Sequence, residues 1–151
     1  MNKGIWFFGY SGCGKTFASK FLKKKIKNSI LIDGDEVRKY ISFDLGYSLE
    51  NRKTQIQRIC GLLKILLKTQ LFPIISTVYF DKRAKKFCLK NKIFPIKILR
   101  KNMKNIFRSH KTYKNKSNIV GFDIQYPKIL TKNIYNNGDK NFCKKLTLLI
   151  P

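Results

Sequence analysis

Gly9-Tyr10-Ser11-Gly12-Cys13-Gly14-Lys15-Thr16 decides the fold. The stretch fits G-x-x-x-x-G-K-[ST], a loop that wraps phosphate groups. Its residue types follow from that task. Glycines let the backbone curl round an anion and aim successive N–H groups inward. The helix that follows presents its positive end to the same charge. Lys15 reaches the β- and γ-oxygens, and the Thr16 hydroxyl is a ligand for Mg²⁺. Gly9, Tyr10, Ser11, Gly12, Cys13, Gly14, Lys15 and Thr16 are therefore the expected ATP-binding residues, with Cys13 read as a small filler and not as a nucleophile.

Both flanks suit such a loop. Gly4–Phe8 reads as a buried strand running into it, and Lys15–Lys27 as the helix leaving it. Ser29–Ile32 is a second short apolar strand. Asn51–Lys68 carries Ile56, Ile59, Cys60, Leu63, Leu66 and Leu67 at the spacing of an amphipathic helix. Leu71–Val78 is a third strand, with Pro73 tolerable near its start. Asp81–Asn91 reads as helix and Ile93–Leu99 as a fourth strand. Lys101–Ser117 is polar and very basic with no clear period, Thr131–Tyr135 is a fifth strand, and Lys140–Leu149 is a helix or a frayed end. Strands alternating with helices predict an α/β fold: one domain over residues 1–151, a parallel sheet of about five strands flanked by helices, and a basic lid near 101–118.

Composition narrows the class further. A hydrophobic fraction of 43% in 151 residues is ordinary for one globular domain. No apolar run approaches bilayer length, and the N-terminal run is too short for a signal-peptide core, so a cytoplasmic location is expected. The four cysteines, Cys13, Cys60, Cys88 and Cys143, show no metal-ligand spacing and read as reduced thiols. The net charge of +25 invites a nucleic-acid reading. However, only six of the 33 basic residues are Arg, and the lysines spread over the whole length without forming a stripe. Neither nucleic acid nor membrane is an expected partner.

Asp33-Gly34-Asp35 follows the second strand, at the end of a parallel sheet where ligands bind. Carboxylates there can accept a proton from an attacking hydroxyl, hold hydrated Mg²⁺, or simply cap a helix. Arg38 lies three residues past Asp35 on the same helical face, so a carboxylate and a guanidinium can flank one substrate.

Taken together, these residues resemble the adenylyl-sulfate kinase family. The resemblance covers the phosphate loop, Ile32-Asp33-Gly34-Asp35-Glu36-Val37-Arg38, Asp44-Leu45-Gly46-Tyr47-Ser48, and Asn51-Arg52 leading into Ile56-Gln57-Arg58-Ile59. It implies a P-loop kinase that moves the γ-phosphate of ATP, with Mg²⁺, to the ribose 3′-hydroxyl of a small nucleotide. In that reading Lys15 and Asp35 are catalytic, Asp35 as the base near the acceptor hydroxyl and Asp33 as its neighbour near the metal. Arg38 and Arg52 grip the acceptor's acidic group, and Tyr47 stacks on its base. Arg108-Ser109-His110-Lys111-Thr112-Tyr113-Lys114 resembles the family's basic lid, with Arg108 and Lys111 as its working cations, and Asn118-Ile119-Val120-Gly121-Phe122-Asp123 resembles the segment that closes over the acceptor.

The chain also departs from that family. Gln55 stands where adenylyl-sulfate kinases usually carry Asn, Ser76-Thr77-Val78-Tyr79 replaces an Ile-Ser-Pro-Tyr loop, Ser109 replaces a lid Asp, and the chain is short for the family. Gln55, Ser76 and Thr77 fall in the expected acceptor pocket. The acceptor is therefore read as adenylyl sulfate first, with cytidine diphosphoramidate, the substrate of a similar branch, as the alternative. A degenerate domain that binds nucleotide without transfer is the third reading, and homodimerisation stays open. His110 is expected as a solvated lid residue and Trp6 as core.

Overall fold

Ile5-Trp6-Phe7-Phe8 is apolar at every position because both faces of the strand are covered. The computed structural model describes residues 2–114 and 117–151. In it β1 (Gly4–Phe8) is buried at all five positions. Its odd residues, Ile5 and Phe7, pack into one core with Leu22, Ile74, Ile96 and Phe142. Its even residues, Trp6 and Phe8, pack into another with Ile56, Ile59, Leu63, Ile75 and Phe80. A strand covered on both faces has no solvent side, which is why it reads as a continuous apolar run and not as an alternation.

The elements around β1 are α1 (Lys15–Lys25), β2 (Ser29–Asp33), α2 (Gly34–Tyr40), α3 (Leu49–Leu66), β3 (Phe72–Thr77), α4 (Lys82–Lys90), β4 (Ile93–Leu99), α5 (Met103–Ser109), a 3-10 turn at Lys111–Lys114, β5 (Lys132–Tyr135) and α6 (Lys140–Thr147). The sheet order is β2-β3-β1-β4-β5 and every pairing is parallel. The five-strand parallel α/β fold expected from sequence is therefore present. Helices α1 and α6 pack together over one face of the sheet, while α3 and α4 supply the other core.

Local chemistry explains the helix boundaries. Helix α3 starts two residues before the expected Asn51 because the Ser48 side chain caps it, accepting from the Asn51 N–H at 3.3 Å. Helix α4 is capped by Asp81, which accepts from the Ala84 N–H at 2.8 Å. Pro95 sits within β4 beyond its pairing with β5, which covers only Ile96–Leu99, so its missing N–H breaks no bond on that side. Positions 115 and 116 of the expected lid lie outside the described residues. Among the described residues, no helix is long and apolar enough to cross a membrane.

Candidate active site

The loop from Gly9 to Gly14 joins β1 to α1 at the carboxyl end of the sheet. Gly14 takes φ +103°, and a Cβ there would lie 2.2 Å from the Asn136 amide nitrogen, so only glycine fits. This glycine is also the residue preceding α1, and no side chain caps the helix. The first helical bond runs from Ala18 N–H to Gly14 O at 3.0 Å. The N–H groups of Lys15, Thr16 and Phe17 are consequently left for a ligand at the positive end of an 11-residue helix.

Lys15 is only 8% exposed. Its ammonium donates to the Tyr10 carbonyl at 2.8 Å. Among the described residues the side-chain ion pairs are Lys53–Glu50 and Arg58–Asp44, both elsewhere. Burial pulls the Lys15 pKa down, while Cys13, Asp35 and Asp33 oppose that shift. A desolvated ammonium without a paired carboxylate is what a polyphosphate would neutralise, so the loop fits the ATP expected from sequence. Cys13 is buried beneath the loop with its thiol pushed up by burial, in keeping with a filler.

A cleft of about 990 Å³ opens from this loop. That is near the top of the range for small-molecule sites, roughly 300–1,000 Å³. Ser11, Gly12, Lys15 and Thr16 line one end of it. Asp33 and Asp35 line it as well, positioned by the turn from β2 into α2. One Asp33 oxygen caps α2 by accepting from the Asp35 N–H at 2.9 Å. Thr16 with two carboxylates is a small set of hard oxygen donors, which suits Mg²⁺ when phosphates and water supply its other ligands.

The opposite end is cationic and aromatic. The Arg38 guanidinium lies 4.5 Å from the centre of the Tyr47 ring and that of Arg52 lies 5.6 Å from it. Arg38 donates to the Leu45 carbonyl at 3.3 Å, and to Gly46 O and Gln55 Oε1. Arg52 donates to Tyr47 O at 3.0 Å and to Asn118 O at 2.9 Å. Burial lowers both guanidinium pKa values, and for Arg52 the neighbouring Arg38 adds to the shift. Two under-neutralised cations beside one ring form a pocket for an anion attached to a flat group.

All seven expected acceptor residues line this cleft: Asp33, Arg38, Tyr47, Arg52, Gln55, Ser76 and Thr77. Besides Asp33 and the two arginines, Gln55 and Thr77 also have internal partners. The Gln55 amide donates to Gly34 O at 2.6 Å while its oxygen serves Arg38. The Thr77 hydroxyl accepts from the Trp6 indole and donates to Tyr79 O, both at 2.8 Å. Trp6 is fully buried, as expected of a core residue. Lys111 and His110 line the cleft, whereas Arg108 lies outside its lining.

Sequence reasoning missed how the lid is anchored. Phe107, Tyr113 and Phe122 pack on one another at centroid distances of 4.8 to 5.7 Å, and Phe107 meets Tyr10 of the phosphate loop at 6.4 Å. Gly12 lets this lid close in, since a Cβ there would sit 2.5 Å from Ile106. Aromatics set among lysines were the available signal. Asn136, just past β5, was also missed, because it lies outside every motif read from the sequence.

The fold and this cleft define the P-loop kinase architecture. The family profile described as adenylylsulphate kinase matches residues 1–115, and the chain belongs to that family. It is 38% identical over 78 residues to the adenylyl-sulfate kinase of Pseudomonas aeruginosa, covering 49% of this chain and 40% of that one. It is 43% identical over 78 residues to the adenylyl-sulfate kinase of Staphylococcus haemolyticus, covering 49% and 39%. The matched stretch thus spans about two-fifths of these curated relatives. The fold resembles that of the Mycobacterium tuberculosis APS kinase CysC, solved in complex with AMPPNP and APS, with a TM-score of 0.79 at 18% identity over 98% of this chain and 95% of that one.

Proposed function

We propose that the cleft transfers the γ-phosphoryl group of ATP to the ribose 3′-hydroxyl of a small nucleotide, with adenylyl sulfate as the first candidate. The observation that carries this reading is that the phosphate loop, the Asp33–Asp35 turn and the Arg38–Tyr47–Arg52 cluster all open into one cleft. Lys15 offsets negative charge on the group in transfer. Asp35 holds the acceptor hydroxyl and receives its proton as the new oxygen–phosphorus bond forms and the bond to ADP breaks. Asp33 fixes the start of α2 and so the direction of Asp35. Mg²⁺, held by Thr16 with help from the carboxylates, would neutralise phosphate charge. The lid, with Lys111 and His110 facing the cleft, would exclude water.

Cytidine diphosphoramidate remains the second acceptor, because Gln55, Ser76 and Thr77, where the chain departs from adenylyl-sulfate kinases, line the same cleft. The arginines test the acceptor end. Lysine cannot reproduce a forked guanidinium, so Arg38→Lys and Arg52→Lys should each lower acceptor kcat/KM by about 10- to 100-fold. The ATP KM should stay within about twofold, since neither arginine belongs to the phosphate loop. Equal losses for ATP and acceptor would remove the arginines from acceptor binding.

A further inference from the structure

Four consecutive carbonyls of the phosphate loop are each held by a side chain. Lys15 donates to Tyr10 O at 2.8 Å, the Tyr113 phenol to Ser11 O at 2.8 Å, Arg100 to Gly12 O at a long 3.4 Å, and the Asn136 amide to Cys13 O at 2.9 Å. In a planar trans peptide the carbonyl of one residue and the N–H of the next point in opposite directions. Fixing Ser11 O therefore fixes the Gly12 N–H, and fixing Cys13 O fixes the Gly14 N–H. A phosphate cradle depends on such N–H groups pointing the same way. Peptides next to glycine turn over easily, so without these donors the cradle would have to be ordered by its ligand.

We propose that Tyr113 and Asn136 are positioning residues that preset the N–H groups of the phosphate cradle, and that Tyr113, coming from the lid, ties cradle order to lid docking. This rests on the reading of the loop as a triphosphate site. Asn136 is built for the task. Its own N–H donates to Leu99 O at 2.7 Å, and its side-chain oxygen accepts from Gly138 N–H at 2.9 Å. With the oxygen so committed, the amide's NH₂ is the end left for Cys13 O. Tyr113 is braced by Phe107 and Phe122, and burial raises its phenol pKa, so it remains an O–H donor at neutral pH. Residues of this kind never touch the phosphate and act through the backbone that does.

The test uses the whole chain with Mg²⁺ and two probes, ATP and inorganic tripolyphosphate, titrated calorimetrically. Tyr113→Phe keeps the ring and removes one O–H, and Asn136→Ala removes the amide. Each should weaken both probes by about 3- to 10-fold and in the same proportion, because the loss lies at the phosphates and not at the base. In NMR spectra of the ligand-free protein, Tyr113→Phe should broaden the Gly12 amide and Asn136→Ala the Gly14 amide. The urea midpoint of Tyr113→Phe should match wild type, so that variant decides alone if Asn136→Ala does not fold. Wild-type affinity for both probes in the folded variants would overturn the proposal. So would weakening that merely tracks a lowered urea midpoint. If the wild-type chain binds neither probe, the triphosphate reading of the loop fails first.

Discussion

Lys15 carries an ammonium into a nearly closed site, where burial opposes its charge. Because its folded-state pKa lies below the ordinary lysine value, the unfolded chain binds that proton more tightly. The charge therefore destabilises the ligand-free fold at neutral pH, and a bound phosphate reverses the effect. Lys15→Ala should lower kcat/KM by roughly 10²–10⁴, equivalent to about 3–5 kcal/mol of transition-state stabilisation. Its urea midpoint should hold or rise, and a midpoint that collapses with activity would make Lys15 a structural residue. The two aspartates separate in the same way. Asp33→Asn keeps a capping oxygen, since Asn caps helices about as well as Asp, and should fold normally and keep more activity than Asp35→Asn. Under the proposed mechanism Asp35→Asn removes the proton acceptor and should cut kcat by about 10²–10⁴ with ATP affinity retained. Activity in Asp35→Asn with loss in Asp33→Asn would exchange their roles. Residues inside a contiguous motif were legible from sequence in this way. Asn136 and Tyr113 were not, because the carbonyls they hold lie 123 and 102 residues away.

At the scale of elements, the sequence placed all five strands, and β1 and β4 agree with it to the residue. Strands buried on both faces leave an apolar signature that needs no tertiary knowledge. Helices were placed less sharply, because caps such as Ser48 act outside the apolar period. Helix α5, inside the expected lid stretch, escaped because it has no buried residue and so no hydrophobic period to read. It is held instead by an aromatic cluster whose members come from the phosphate loop, α5, the 3-10 turn and the Gly121 turn. The two kinds of element should respond differently to truncation. Leu63 in α3 is fully buried, and Leu63→Ala should lower unfolding free energy by about 2–5 kcal/mol. Phe107→Ala should lower it by about 1 kcal/mol or less, yet speed proteolysis between α5 and the Gly121 turn and raise the ATP KM. Denaturant melts and limited trypsin digestion distinguish the two, and a lid variant as destabilised as Leu63→Ala would make the lid part of the core.

For the molecule as a whole, a net charge of +25 is met by two side-chain ion pairs among the described residues. Most lysines are therefore free to attract anions, and the cations concentrated by structure are those lining the cleft: Lys15, Arg38, Arg52 and Lys111. A phosphate loop at one end and a guanidinium–aromatic pocket at the other suit two anionic ligands, and under the proposed function one gives and the other receives a phosphoryl group. Tyr47 can stack on adenine or cytosine alike, so stacking alone does not choose the acceptor. Polar groups at the base edge must do so, and a site built to hydrogen-bond one base leaves groups unpaired with the other. The most direct measurement is transfer of labelled γ-phosphate from ATP to adenylyl sulfate and to cytidine diphosphoramidate by the purified chain. The expected result is 3′-phosphorylation of one of them, preferred by more than about a hundredfold in kcat/KM, with adenylyl sulfate ahead. Transfer to neither, by folded protein that binds ATP, would contradict the account and leave a nucleotide-binding domain without transferase activity.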